Sequence, residues 1–211
     1  EMQRSLVGSE MCIRDRYFNK SNSWYVGLFG CIGAEGKISN VGVSDSYFQS
    51  SNCPYIGGVC GSNSGELQNC SNSSTVIGKE NEYRIGGVCG YNYGGTIKSC
   101  YNTASVSGQS SVGGVSGSLG SDVTNCYYLS GTVADGKSGI GGQKDENGKA
   151  EKMSLEQFKS GEVAWLLNGS KSVSTEESTL AWYQKLDENA DAYPVLKSTD
   201  HNTVYLSLIH I

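Results

Sequence analysis

Four glycine-led segments recur along this chain at a nearly constant interval, and that interval restricts the fold more than any other feature. The unit is most complete from Arg84 to Gly108, RIGGVCGYNYGGTIKSCYNTASVSG. Upstream, Tyr55 to Gly78 repeats Gly57-Gly58-Val59-Cys60-Gly61, a turn, then Leu67 and Cys70. Downstream, Ser111 to Val133 keeps Gly113-Gly114-Val115, Val123 and Cys126. A worn copy, Tyr25 to Ser46, keeps Gly27, Gly30 and Ile38 and has Val41 where the others have cysteine. The leading glycines Gly27, Gly57, Gly86 and Gly113 follow one another at 30, 29 and 27 residues, a period that marks a solenoid or array.

Each unit holds short apolar pieces, such as Ile85/Val88, Ile97/Cys100 and Val106, separated by glycine, asparagine and serine. These pieces are too short for ordinary helices, and their punctuation is that of strands and turns. One unit cannot bury its own apolar face. Stacking the units at roughly 4.8 Å buries continuous columns of equivalent residues and pairs the backbone between coils. The expectation is an all-β chain, a parallel β-helix (β-solenoid) of about four coils over residues 17–133. Propeller blades, the competing repeat, run longer, at roughly 40 residues or more. The glycines fit tight turns or close backbone approach. Asn63, Asn72, Asn92 and Asn102 are placed at corners, where asparagine takes the left-handed region or bonds its own backbone.

The ends differ from the rest. Residues 1–16 hold three of the four arginines and two of the three methionines; together with Leu206 to Ile211 they resemble translated sequencing-adapter read-through and are read as non-native artefact, outside the fold. On that reading, a missing signal peptide or anchor carries no information about location. No run of 18 or more apolar residues is present, so no membrane insertion is expected of this stretch. The net charge of −5 and a nearly arginine-free surface argue against nucleic acid, whose phosphates need clustered Lys and Arg. Glycine, at 29 of 211 residues, is roughly twice its usual share; the regular apolar spacing nevertheless opposes disorder.

Outside residues 1–16 the cysteines are Cys31, Cys53, Cys60, Cys70, Cys89, Cys100 and Cys126. Cys60 and Cys89 share one repeat position; Cys70, Cys100 and Cys126 share another. The first reading is small buried hydrophobes, with disulfides between adjacent coils as the alternative. No CxxC pair has a second CxxC or HxxxH partner, so no metal site is expected.

Beyond Val133 the chain turns polar, and 134–152 reads as a linker. Asp145-Glu146-Asn147-Gly148 lacks the acidic spacing of a calcium loop and reads as a solvated turn. Residues 153–205 read as a C-terminal cap of short helices plus a strand. Ser154 with Gln157 forms a capping box, Gly161 divides the helical stretch, and Gly169 ends it. Leu155 and Phe158 mark the apolar face of the first helix, and Val163, Leu166 and Leu167 that of the second. Its expected task is to cover the last coil. A short strand is expected within Tyr193 to Leu196, with Pro194 holding it at an edge.

The repeat GGVCGYNYGGTIKSCYNTASVSG resembles the GLUG motif, whose G-L-x-G opening is carried by Gly27-Leu28-Phe29-Gly30. SGEVAWLLNG, WYQKLD and AYPVLKS resemble the segment that follows such repeats in large surface proteins of gut Firmicutes. The resemblance covers about residues 24 to 205. It implies a secreted or cell-wall-attached bacterial surface protein; similar repeats also occur in IgA-specific metallopeptidases. No catalytic residue is carried over by it.

The chain has two histidines, His201 and His210, and no HExxH, GxSxG or P-loop, which removes most nucleophile and base arrangements. Acids in the coils, Glu35, Asp45, Glu66, Glu80, Glu82 and Asp122, are read as turn residues that share no stacked position. No enzyme activity and no cofactor are expected. The function expected is that of a non-catalytic segment acting as stalk or adhesive surface. The alternative is an accessory region of a secreted hydrolase, IgA-peptidase-like or polysaccharide-active, whose catalytic domain lies outside this chain. Tyr91, Tyr93, Tyr101, Tyr127 and Tyr128 are the binding candidates: exposed on a rigid ladder they stack on host or cell-wall glycans or anchor a surface protein, and otherwise they pack between coils.

Overall fold

Apolar residues one repeat apart lie directly above one another, and the fold follows from those columns. A computed structural model describes residues 11–13, 17–21, 23–79, 84–118, 122–145, 148–170 and 180–196, without side-chain detail for 11–13, 18–21 and 51. His201, His210, Glu80, Glu82 and residues 206–211 lie outside the described residues. The chain forms a parallel β-solenoid of about four turns with three walls per complete turn, plus two short helices.

The first wall carries the glycine-rich opening of each repeat: Val26, Ile56, Ile85 and Val112 align in one register. The second carries Ile38, Leu67, Ile97 and Val123. The third carries Phe48, Val76 and Val106. All but Ile38 are buried, and the columns merge into one core. Full burial of a Val, Ile or Leu side chain contributes about 1.5–3 kcal/mol, so a column repeated on every coil is the main source of stability.

The leading glycines are needed for space. None has a positive φ; a Cβ on Gly86 would stand 2.0 Å from the Cys89 carbonyl oxygen. Positive φ falls elsewhere, on Asn40, Asn69, Ser99 and Asn125, which occupy one repeat position on the second wall. Only a short polar side chain takes that conformation readily in place of glycine. The expected corner asparagines do bond their own backbone. Asn102 donates through Nδ2 to the Ala104 carbonyl at 2.8 Å and accepts from the Ala104 amide at 3.3 Å. They also form buried ladders between coils, Asn63 to Asn92 and Asn72 to Asn102, each at 2.9 Å.

Three sequence readings are corrected. Residues 134–152 continue the solenoid: Ser138–Ile140 pairs with the strand Ser111–Ser116, and Ala150–Met153 with Cys126–Leu129. Few apolar residues mark this coil: its buried hydrophobic side chains are Ile140 and Ala150, with Met153 just beyond. Asp145 is bound within it, accepting from the Tyr128 hydroxyl at 2.8 Å and the Gly139 amide at 2.6 Å. Met11–Ile13 also pairs in parallel, with Val41–Val43.

The third concerns the cap. Helix α1 (Leu155–Lys159) opens with the expected capping box of Ser154 and Gln157; Gly161, at φ 83°, separates it from α2 (Glu162–Leu167). Phe158, Val163 and Leu167 are buried, whereas Leu155 is exposed and Leu166 only partly covered. The cap does not simply sit over the last coil. It packs against the outer face of the second wall, with Phe158 and Trp182 on Tyr101 at ring distances of 5.8 and 5.1 Å, and Trp182 Nε1 donating to the Ser99 carbonyl at 3.1 Å. Trp182–Tyr183 pairs antiparallel with Val195–Leu196 beside Pro194, which supplies the short strand expected there.

Candidate binding surface

A run of tyrosines crosses the outer face of the first wall. Tyr25, Tyr55, Arg84 and Ser111 stand in one register column, each preceding the inward Val26, Ile56, Ile85 or Val112, so the period of two turns them outward. Tyr91 belongs to the neighbouring column with Cys31 and Ser62. Gly90 brings the two together: a Cβ there would lie 2.6 Å from the Ile56 backbone nitrogen, so the chain around Tyr91 lies directly against that of Tyr55.

The rings form a continuous series. Tyr25 and Tyr55 stack at 5.7 Å, Tyr55 and Tyr91 at 5.1 Å, and Tyr93 is tilted against Tyr91 at 5.4 Å. Arg84 joins it, with Cζ 4.1 Å over the Tyr91 ring and 5.5 Å from that of Tyr55, and Nη1 donating to the Tyr55 hydroxyl at 3.4 Å. Tyr93 is 63% exposed and Tyr25 39%, with the adjacent Trp24 at 68%. Aromatic faces held on a β framework offer contact area at little entropic cost, since few rotors need freezing.

Two of the five candidates, Tyr91 and Tyr93, therefore share this surface, and three do not. Tyr101 and Tyr127 are neighbours in register but are buried beneath the cap. Tyr128 points into the core, where its hydroxyl meets Asp145. Burial pushes the Tyr127 hydroxyl above the ordinary tyrosine value, with Glu151 adding to the effect; burial and the bond to Asp145 do the same for Tyr128. None of the three presents a free ring face. Tyr25, Tyr55 and Arg84 were not among the candidates; their signal was the residue immediately before the inward apolar one in each repeat.

The thiols stack as the repeat positions required. Cys60 pairs in register with Cys89, and the Cys70 amide donates to Cys100 Sγ at 3.3 Å. Cys31 is exposed, the other six cysteines with described side chains are buried, and these seven are thiols rather than disulfides. The adjacent Cys89 and then burial raise Cys60 well above the ordinary thiol value; burial first, then Cys126 and Cys70, raise Cys100. Among the described residues no group of three or more His, Cys, Asp or Glu side chains is placed to hold a metal ion. One reading of the acids is amended: Glu66 opens a strand and bonds Lys37 at 3.0 Å, and the register puts it in one column with Asp122, on either side of Thr96.

A cleft of about 290 Å³ lies between the second wall and the cap, lined by Gln68, Asn69, Lys98, Asn125, Asn168 and Leu180 among others. Asn168 is already occupied there, accepting from the Ala181 and Trp182 amides and donating to the Trp182 carbonyl.

Residues 81–107, which include the third complete coil, match the family model of the GLUG motif. The chain matches no curated protein. It matches no solved structure either.

Proposed function

We propose that this GLUG-motif repeat protein is a non-catalytic segment of a secreted or cell-wall-attached surface protein, and that the first wall of its solenoid is an adhesive surface for glycans. The observation that carries the reading is the tyrosine series Tyr25–Tyr55–Tyr91–Tyr93, which stacks across adjacent coils and ends in an exposed ring. Sugar rings present C–H faces that pack on aromatic faces; the stacked rings cover one another in the middle of the series, so the exposed Tyr25 and Tyr93 at its ends, with Trp24, offer such faces without ordering a loop. The parallel ladders give the segment the stiffness a stalk needs, and repetition lets a longer array multiply a weak contact.

The test is a binding screen of the whole chain against immobilised glycans and mucin glycoproteins, run beside the Tyr91→Ala/Tyr93→Ala variant. Saturable binding that the variant loses, with its thermal transition retained, supports the reading. No binding by folded protein contradicts the adhesive role, and hydrolysis of polysaccharide or immunoglobulin A by the chain itself contradicts the non-catalytic one.

A further inference from the structure

Resting on the reading that the first wall binds glycans, we propose that its ligand is an acidic glycan, whose carboxylate pairs with Arg84 while its sugar rings lie on the flanking tyrosines. Arg84 is the one arginine among the described residues of a chain with net charge −5, and it stands in the middle of the aromatic series. Its Cζ lies 4.1 Å over the Tyr91 ring, so that ring covers the face of the guanidinium. The N–H donors lie in the guanidinium plane and are not consumed by a contact through its face. One of them makes the 3.4 Å bond to the Tyr55 hydroxyl. Among the described residues no carboxylate is in ion-pair contact with Arg84.

The surroundings favour an anion. The register column of Arg84 carries Tyr25, Tyr55 and Ser111, and the neighbouring column Cys31, Ser62 and Tyr91, with no acid among these described residues. A planar fork matches a carboxylate in two-point contact, which a lysine ammonium cannot reproduce. The cation–π contact also fixes the orientation of the fork, so less rotamer freedom is lost when an anion binds.

The experiment is a calorimetric titration of the whole chain with hexagalacturonate and with its fully methyl-esterified, neutral form, at low and high salt. A sulfated neutral oligosaccharide is a third probe. The acid is expected to bind at least about tenfold tighter than the ester, as a charge-assisted hydrogen bond requires, with the advantage shrinking in high salt. Arg84→Gln is expected to abolish that advantage, so that acid and ester bind alike. Arg84→Lys, which keeps the charge and the stem, is expected to retain part of it. Equal binding of acid and ester overturns the inference and leaves the glycan-binding reading standing; equal or tighter binding of the sulfated probe overturns the carboxylate preference. Binding of none of the probes counts against both.

Discussion

Asn72 donates through Nδ2 to Asn102 Oδ1 at 2.9 Å across two coils, with both side chains fully buried. Each amide also closes a turn on its own strand, Asn72 around Ser74 and Asn102 around Ala104. The ladder therefore ties register between coils to corner geometry within them. In Asn102→Ala, the Ala104 amide and one Asn72 proton lose their partners, at about 1–3 kcal/mol for each group left unpaired. Urea denaturation should show a clearly lower midpoint with an unchanged slope; a midpoint within error of wild type would contradict the ladder's role.

Two glycines separate lack of space from backbone conformation. A Cβ on Gly86 would stand 2.0 Å from a carbonyl oxygen, whereas Gly94 has φ 77° and open space around its Cβ. Gly86→Ala should destabilise the chain by about 3 kcal/mol or more, the upper range of overpacking. Gly94→Ala should cost only about 1–2 kcal/mol for a left-handed alanine. The order of the two thermal transitions checks this.

The buried thiols make stability depend on alkaline pH. Cys60 and Cys100 have raised folded-state values, so the folded chain holds their protons where the unfolded chain releases them. Their contribution is fully present below the unfolded thiol value, about 8.5, and is lost as pH rises above it toward the folded values. The thermal midpoint should be flat with respect to these thiols from pH 6 to 8 and fall beyond. In a Cys12→Ser chain, a thiol reagent at pH 8 should find one fast site, Cys31, and seven after unfolding without reductant. Fewer than seven would reveal a disulfide.

The cap should matter through its side contact. Trp182 is fully buried against Tyr101 and bonded to Ser99, so Trp182→Ala should cost about 3–5 kcal/mol. Hydrogen exchange should locate the loss of protection at residues 97–102 as well as in the cap. Loss confined to the cap would contradict lateral docking.

The solenoid was legible because its evidence is periodic: Ile56, Ile85 and Val112 announce their column by spacing alone. The coil at 134–152 was not legible, since its strands, Ser138–Ile140 and Ala150–Met153, pair mainly through the backbone and hold few apolar residues. The tyrosines show a different limit. Spacing places Tyr101 above Tyr127, but the cap that covers both comes from distant residues and leaves no mark on the repeat. Tyr128 was readable in principle, because it continues the inward position of Asn72 and Asn102. Tyr55 and Tyr91 were the hardest, because their stacking joins two neighbouring columns and no single repeat position reports it.

Binding measured side by side for two walls tests the adhesive account most directly. Tyr91→Ala/Tyr93→Ala removes rings from the first wall; Tyr47→Ala removes one from the third, where Tyr47 stacks with Tyr17 at 5.2 Å. With a mucin glycopeptide immobilised, the first variant should lose affinity by roughly fivefold or more, at about 0.5–1.5 kcal/mol per ring, and Tyr47→Ala should bind as wild type does. Equal affinity in all three proteins, or equal loss in both variants, would contradict an adhesive surface on the first wall.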